Sequence, residues 1–559
     1  MKNKLKIKQY SEQLDRQLNL NYRDRDYSYS KLLLTYLFYS IKKNNKFDEF
    51  KNSDDIDITK YFRDRNLAAF YDMVTKNIPQ DVLLFSSIIR STELTVFEDY
   101  LTESIENSFW YERYEEGRYN VEDLIEKFLD IKSGQKLLYY YNYTYSLLKK
   151  LLSISDLELT IFVSDDKNWD EERYYQRYAF IKIYVEINTY NANVVSSMSE
   201  IRKERYERIY IESGNAKQDS IPLEDEIVRN NLAENAIAVK YVKDSNLDSI
   251  NENNIYSRGL DLDKRIIKSV ITLPANASYI AGRYGTNRAI EIYDNSVQHD
   301  SITFVNATLE CITEKRDSWF SKDNIANIVK AANGNKFDFN TKIPYEDIKK
   351  NSNSFDPFIY ISNGSKLNHS IELGKVAEVF RGNDLVRIRK RLESDIVRTG
   401  EYEYRSLAAA DLEYENINYE KLPFVKIEKN IDEFVLREGD IVLNKNGSKI
   451  RCVLFEGQVD LNIVPDGNIL IIRPNKDKVN SLFLKKYFDS VDGTNALLNI
   501  AQSGSVLKSI NVSRIVKVSI PNPSIEEQNE FALEYKNKKE SIIKLNAEIE
   551  TICKKYFFN

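Results

Sequence analysis

From about residue 118 to 345 the chain alternates short β-branched runs with amphipathic stretches, and this alternation constrains the fold more than any other feature. Val121–Leu129 reads as an amphipathic helix, Lys136-Leu137-Leu138 opens a short strand, and Tyr145–Leu152 reads as the next helix. Leu157–Val163 (Leu-Glu-Leu-Thr-Ile-Phe-Val) alternates as a strand does and ends at Asp165 and Asp166, after which Tyr174–Asn188 is helical again. Further strands are expected at Arg208–Ile211, Ala236–Val242, Ser269–Leu273 and Ala289–Tyr293. Period-two alternation buries a sheet face, and helical spacing buries a stripe. The two taking turns imply a parallel or mixed sheet with helices on both faces, an α/β class.

The flanks read differently. Residues 1–115 carry helical spacing, as in Tyr29–Ile41 and Asp81–Ile89, and imply a helical bundle with no chemistry of its own. Residues 346–370 are rich in Asn, Ser, Asp and Lys around Asn363-Gly364 and read as a linker between a domain over 116–345 and one over 371–521. The latter holds many short β-branched strands with Gly turns, so a mostly-β or α+β domain is expected. Residues 522–559 read as one long helix, opened by Ser524-Ile525-Glu526-Glu527, a capping-box pattern just after Pro523. Ile525, Phe531, Ala532, Tyr535, Ile542, Leu545, Ile549, Ile552 and Tyr556 recur three to four apart and form an apolar stripe. On a helix of about 50 Å that stripe needs a partner, from its own domain or from another chain.

Composition narrows the functions. The chain has 559 residues and a formal net charge of −6, so any DNA site is a local positive surface on an acidic body. Cys311, Cys452 and Cys553 show no paired spacing, which fits a reducing cytoplasm and excludes a zinc cluster. With only His299 and His369, a Ser-His-Asp triad and most zinc enzymes are disfavoured. No apolar run reaches the roughly 18 residues of a membrane helix, and Met1–Lys8 is basic without an apolar core, so no membrane partner is expected.

Two segments resemble known families. Leu124–Gly134, Gln135–Leu138 and Leu157–Asp166 follow the order helix, cofactor strand, helix, acidic-ended strand of an N6-adenine DNA methyltransferase. Asp263–Asn276, with its Leu273-Pro274, and Thr286–Tyr293 resemble later core elements of that family. Lys322–Val329, Ile343–Ile348 and Phe355–Ile359 resemble the tail of type I modification subunits. The resemblance implies a Rossmann-like methyltransferase-type sheet. The C-terminal third resembles a type I restriction specificity subunit at four landmarks in order. These are Glu372–Gly382, then Arg437–Gly447 with its Gly-Asp-Ile hairpin, then Gln502–Ile510, and finally Ile520–Pro523 with Glu526-Glu527-Gln528. A full specificity subunit carries two such target-recognition units; this chain shows one, fused behind a modification-like domain.

The resemblance also shows what is missing. A turn that holds S-adenosylmethionine would read Asp-Pro-x-x-Gly-x-Gly; here Tyr139 and Tyr140 stand at Asp-Pro, and Tyr143 and Tyr145 at the glycines. Glycine lets the backbone approach the cofactor, and a tyrosine ring fills that space. The family's catalytic loop is Asn/Asp-Pro-Pro-aromatic, whose polar groups accept from the target amine while the aromatic stacks on the flipped base. After Tyr206–Ile211 the chain reads Glu212-Ser213-Gly214-Asn215-Ala216, with neither proline nor aromatic, and no Pro-Pro occurs anywhere. The acid for the cofactor ribose would be Asp165 or Asp166. Two losses together imply an inactive methyltransferase-like protein that needs no cofactor. An active enzyme with divergent motifs, using S-adenosylmethionine and Asn215, and a scaffold that no longer binds DNA are the alternatives.

Double-stranded DNA is the expected partner. Arg381, Arg387, Arg389, Lys390 and Arg391 fall within eleven residues at the start of the recognition-like domain, where they either contact phosphates and guanine edges or form a solvated helix face. Lys445, Asn446, Lys449 and Arg451 sit at the hairpin and either face the duplex or cap it. Lys508, Ser509, Asn511 and Arg514 form a weaker third cluster. The long terminal helix is expected to pair with a second copy or with an active modification or restriction subunit of a phage-defence assembly.

Overall fold

A computed structural model describes residues 2–18, 25–53, 56–62, 64–76, 81–108, 118–141, 146–163, 171–213, 223–249, 251–274, 288–308, 310–314, 317–361, 369–384, 402–412, 417, 419, 422–447, 450–457, 461–500 and 508–557. The N-terminal part is helical: Lys2–Leu18, Arg25–Lys43, Arg65–Thr75, Val82–Ser91 and Leu94–Ser108 are its longer elements. Asp64 and Asp81 cap two of them by accepting from backbone N–H groups of the first turn, which the preceding residue does best from an extended backbone. These helices share one core with a face of the central sheet, where Leu33, Leu37, Phe38, Phe85 and Phe97 meet Leu137, Tyr139 and Ile183. The helix Glu171–Ile187 joins the two layers. Tyr178 donates to Asp64 Oδ2 at 2.6 Å, Tyr184 to Glu106 Oε1 at 2.9 Å, and Glu186 Oε2 accepts from Tyr36 at 2.6 Å. A buried tyrosine supplies a large apolar body and one donor, so the abundant tyrosines fasten the bundle to the sheet without leaving the acids unpaired.

Among the described residues the central sheet has nine strands. In chain order they include β1 (Lys136–Tyr141), β2 (Glu158–Val163), β3 (Ala192–Val195), β4 (Tyr206–Glu212), β5 (Leu232–Lys243), β6 (Ile267–Thr272), β7 (Arg288–Asp294) and β8 (Ser301–Asn306). A small hairpin of β9 (Ile312–Glu314) and β10 (Asp317–Trp319) precedes the last member, β11 (Asn340–Pro344). The spatial order is β11-β8-β6-β7-β5-β4-β1-β2-β3. β1 to β5 run parallel, β7 lies antiparallel between β5 and β6, β8 runs parallel to β6, and β11 closes the edge antiparallel to β8. The central strands are apolar nearly throughout, as in β4 and β6, because both faces are covered. The fold is therefore mixed α/β with N-terminal helices and a long C-terminal helix, as the alternation implies.

Residues 346–361 differ from the expected linker. Helices Tyr345–Lys350 and Pro357–Tyr360 pack on the sheet. Ile348 and Phe355 are fully buried in its second core, and Tyr345 donates to the Ile267 carbonyl at 2.6 Å. Polar letters dominate the stretch, but its few apolar side chains are spaced to reach one face of the sheet.

The C-terminal part is built of short strands: β12 (Ser370–Glu372), β13 (Ala377–Arg381), β14 (Tyr402–Leu407), β15 (Phe424–Ile427), β16 (Ile441–Asn444), β17 (Asn446–Gly447), β18 (Cys452–Leu454), β19 (Ile463–Pro465), β20 (Ile469–Pro474), β21 (Lys508–Ser509) and β22 (Ser519–Pro521). They form a four-stranded sheet in the order β13-β20-β16-β18, a three-stranded sheet β15-β14-β19, and the pairs β12-β22 and β17-β21. Helix Ser481–Asp489, capped by the Asn480 side chain, packs against β18 and covers this core with Leu484 and Phe488. The terminal helix Ile525–Phe557 leaves from β22.

A candidate nucleic-acid interface and the sheet crevice

In an open α/β sheet, ligands bind outside the carboxyl ends of the strands where the strand order reverses. Here β1, β2 and β3 step one way and β4 and β5 the other, so the reversal lies between β1 and β4. Tyr139 and Tyr140, expected in the turn, are instead strand residues. β1 pairs with β2 through Tyr141 and with β4 through Tyr140, and aromatic side chains suit such a two-sided position. The two rings point to opposite faces. Tyr139 packs on Tyr210 with ring centres 5.1 Å apart, and Tyr140 packs edge-on against Phe162 at 5.2 Å. Their bulk thus fills the two cores of the sheet. Tyr143 and Tyr145 lie outside the described residues, as do Asp165, Asp166 and Asn215.

The floor beneath the crevice is aromatic and acidic. Glu122 and Glu212 are buried beside Tyr139, Tyr210 and Tyr241. Burial, and then the charges of Glu212 and Glu122, push the Tyr210 phenol well above its ordinary range, so it stays neutral. Arg288 holds its guanidinium 5.2 Å above the Tyr241 ring and donates to the Ser213 carbonyl at 3.1 Å.

On the opposite face lies a closed charge network. Lys240 pairs with Asp225 and, at 2.8 Å, with Glu291, and Arg229 pairs with Asp261 at 2.8 Å. Ser257 donates to Asp225 at 2.6 Å, and the Tyr293 hydroxyl donates to Glu291 at 3.0 Å or to Asp261 at 3.2 Å. All of these carboxylates and Lys240 are buried. Three acids share this site with Lys240 and Arg229, and the charge of buried Arg258 also acts on Glu291 and Asp225. Burial, and then the Asp225 charge, raise the Asp261 carboxyl to about 7. Asp225, against its own burial, is held below its ordinary range by Lys240. Each of these acids is bonded to a cation or a hydroxyl within the network.

The basic clusters of the C-terminal part are arranged otherwise. Arg381 ends β13, where its Nη2 pairs with Asp384 at 2.9 Å and its Nε donates to the Gly467 carbonyl. Gly382 is required there, since a Cβ would sit 2.3 Å from the Asp466 carbonyl oxygen. Lys445 follows β16; its backbone N–H donates to Asn468 at 2.7 Å and its carbonyl accepts from Ile510 at 2.9 Å. Partial burial, and then the charge of Arg381, lower the Lys445 ammonium from its ordinary value, with Asp384 acting the other way. Asn446 and Gly447 pair antiparallel with Ser509 and Lys508. The β17–β21 backbone pair thus places positions 446 and 508, from two separate sequence clusters, next to Lys445. Arg387, Arg389, Lys390, Arg391 and Lys449 lie outside the described residues.

Two residues with charge-cluster or motif signatures turn out to be structural. Arg514 is buried, pairs with Asp356 at 2.8 Å and lies 4.1 Å over the Phe358 ring, while its neighbour Lys517 pairs with Asp248 at 2.6 Å. These bonds join the C-terminal part to the sheet body. Asp440 of the Gly-Asp-Ile hairpin accepts from Arg473 at 2.9 Å and from the Arg437 N–H at 2.9 Å, which accounts for an acid at that turn. Neither partner is near enough in sequence for spacing to reveal it, except Arg437. Arg451 caps as well as faces outward, its Nη1 donating to the Leu412 carbonyl at 2.9 Å.

No family model and no curated protein matches the chain. Solved structures that resemble it include a type I restriction-modification methyltransferase subunit from Streptococcus thermophilus, at 10% identity and a TM-score of 0.37, covering 63% of this chain and 98% of that one. The type IIG restriction endonuclease BpuSI is similar at 10% identity and a TM-score of 0.37, over 92% of this chain and 73% of that one. An HsdS subunit from Thermoanaerobacter tengcongensis is similar at 15% identity and a TM-score of 0.26, over 34% of this chain and 48% of that one. These likenesses are remote, and strand order, burial and charge carry the reading that follows. No described helix is long and apolar enough to cross a membrane.

Proposed function

We propose that the chain binds double-stranded DNA in a sequence-specific way through a recognition module over 371–521, and that its methyltransferase-like body is catalytically silent. It would act in a restriction-modification or phage-defence complex. The observation that supports this reading is that Arg381 ends β13 and the β17–β21 backbone pair sets positions 446 and 508 next to Lys445, in a chain that is acidic as a whole. Cations so placed, here termed the recognition edge, neutralise phosphates, and the fixed backbone beneath them sets the register for base contacts.

Support for silence comes from the connections that leave the crevice strands. β1 ends at Tyr141 and the next helix starts at Ser146, so only Asn142-Tyr143-Thr144-Tyr145 joins them, without a glycine. A donor such as S-adenosylmethionine needs the backbone to approach closely at that turn. The connection after β4, from Ser213 to Pro222, holds no Pro-Pro and no aromatic ring to stack on a flipped base. Neither connection carries the glycines or the Pro-Pro-aromatic letters that such a donor and a flipped base require.

The terminal helix is the natural partner-binding element, for a second copy or for an active modification or restriction subunit. Fluorescence anisotropy on duplex DNA across a salt series, beside calorimetric titration with S-adenosylmethionine, tests the whole reading. Salt-dependent binding with no cofactor heat is expected. Measurable cofactor affinity ends the silent-enzyme claim and favours the divergent-enzyme alternative; no DNA binding at low salt favours the scaffold.

A further inference from the structure

The three-stranded sheet β15-β14-β19 buries one face and turns the other outward. Tyr404, Val425 and Ile427 close the inner side with Ile431 and Val464. In the outer row Glu403 stands opposite Lys426, and Arg405 opposite Phe424. The outward row of an antiparallel ladder is ordinarily polar. Phe424 is the exception here, 57% exposed. It is held as a stiff projection. Leu422 and Val425 are buried on either side of it, and the Pro423 carbonyl accepts from the Ser406 N–H at 2.9 Å. Proline also locks the backbone just before the ring. Arg405 lays its guanidinium 4.1 Å from the ring centre, and its Nη1 donates to the Tyr419 and Leu422 carbonyls at 3.3 and 3.4 Å. The cation is thereby tied down behind the ring, and the rest of the ring is left to solvent. Strand β14 leads from this ring to the cations of the recognition edge. Leu407, two residues or about 7 Å beyond Arg405, pairs with Pro465, and its carbonyl accepts from the Asp466 N–H at 2.8 Å. The same turn holds Arg381 Nε at the Gly467 carbonyl and the Lys445 N–H at the Asn468 carbonyl, the latter at 2.7 Å.

We infer that Phe424 is a wedge: with the module on duplex DNA, its ring enters the stack between two adjacent base pairs, with Arg405 behind it. The inference rests on the DNA-binding reading of residues 371–521 and adds to it the residue that deforms the duplex. A phenyl ring has no donor or acceptor with which to read the hydrogen-bonding edge of a base. It can occupy the space between base pairs, as apolar side chains of DNA-deforming proteins do. The tied guanidinium has two effects. It keeps the ring from folding down onto the sheet when it meets the bases, and it sets a positive charge beside the phosphates that flank the opened step. Arg381 and Lys445, on the turn that β14 reaches, neutralise phosphates further along. Opening a step is easiest at pyrimidine–purine steps, which kink and unstack readily. Phe424 therefore selects sequence through the deformability of one step, independently of any base contact made elsewhere on the module.

The test uses the full chain and a duplex that it enriches from a randomised pool. 2-Aminopurine, a base that brightens when unstacked, replaces each adenine of that duplex in turn. Binding should brighten the probe severalfold at one TA or CA step and leave the others dim. Phe424→Ala should abolish that signal and weaken the enriched duplex by about tenfold. Its affinity for an unrelated duplex, its salt slope and its thermal unfolding should match the parent, because the side chain removed is exposed. Phe424→Leu, an aliphatic wedge, should keep most of the signal. Binding without brightening at any step, or brightening that survives in Phe424→Ala, overturns the wedge and leaves the DNA-binding reading standing. A tenfold loss in Phe424→Ala with no brightening in the parent means that the ring touches a base edge such as a thymine methyl, and it overturns the wedge as well. No binding of any duplex at low salt overturns both.

Discussion

The sheet body and the recognition edge treat charge in opposite ways. In the body, Lys240, Arg229, Asp225, Asp261 and Glu291 are sealed together, each bonded to another. On the edge, Lys445 is only half-buried and Arg381 is 39% exposed at its side chain, both anchored by the backbone around Gly467 and Asn468. A sealed network fixes a fold and is indifferent to solutes. An anchored but exposed cation is positioned for something that arrives. The difference is what the proposed DNA-binding role of the edge predicts, although both regions have similar residue types.

The contrast breaks most visibly at Lys240. Replacing it with methionine leaves Asp225 and Glu291 buried without their cation, and the expected loss of stability is about 3–5 kcal/mol in urea unfolding. Lys445→Ala on the edge should shift the same measurement by no more than about 0.5 kcal/mol. Comparable losses for the two would erase the distinction. Arg514 belongs with the body on this scale. Arg514→Met strands the Asp356 carboxylate at the joint between the two parts, for about 3 kcal/mol. Small-angle scattering should then show a looser envelope, which the reciprocal exchange Arg514→Asp with Asp356→Arg should partly reverse. Gly382→Ala comes next at about 1–3 kcal/mol, since its Cβ meets backbone that has nowhere to move.

The network also predicts a pH signature that the edge lacks. Asp261 binds its proton with a folded value of about 7 against an ordinary 3.8, so between those limits the folded state holds a proton that the unfolded state has released. That contribution is present at mildly acid pH and is lost as pH rises through about 7. Asp225 works the other way, stabilising at neutral pH and losing its contribution as acid protonates it. Asp261→Asn, which mimics the protonated carboxyl, should flatten the decline between about pH 4 and 7 and should equal or exceed the parent in stability at pH 8. An unchanged slope would mean that Asp261 is ionised in the fold. The effect is smaller than that of Lys240→Met because Arg229 remains to offset the charge.

Much of the sheet was legible because periodicity reports burial. The strands at 157, 208, 236, 269 and 289 are each visible as runs with β-branched residues, and the one at 136 as an aliphatic start. Direction was not, since Arg288–Asp294 carries the same letters whether it runs parallel or antiparallel to β5. The end of β1 was misplaced because a run of tyrosines fits both a strand and a turn, and only pairing with β2 and β4 decides it. The folded stretch 346–361 was hidden by its polar majority, though Phe355 and Ile348 do the packing. At the edge, each basic cluster was readable by itself. That Lys445, Asn446 and Lys508 share a border follows from the β17–β21 pair, which joins residues about sixty apart and has no signature in spacing. Arg514 was misleading for the converse reason: its partner Asp356 is 158 residues away, and a buried cation has the same letter as an exposed one.

The finest test of the contrast is the salt dependence of DNA binding. Each edge cation that neutralises a phosphate releases about 0.9 counterion from duplex DNA, so losing it lowers the slope of log affinity against log salt by about that amount. Lys445→Ala and Lys508→Ala should each reduce the slope by about 1 and weaken all sequences alike. Asn446→Ala should leave the slope unchanged but narrow the gap between target and non-target duplexes, as expected of a residue that reads bases rather than phosphates. Asp384 gives the opposite sign. It holds the Arg381 guanidinium at 2.9 Å, and Asp384→Asn should free that cation and steepen the slope. Lys349, a cation on the sheet body paired with Asp263 at 3.1 Å, is the control, and its removal should leave the slope unchanged. If Lys349→Ala lowered the slope as much as Lys445→Ala, the duplex would be riding on the general surface of the chain and the edge would have no special claim to it.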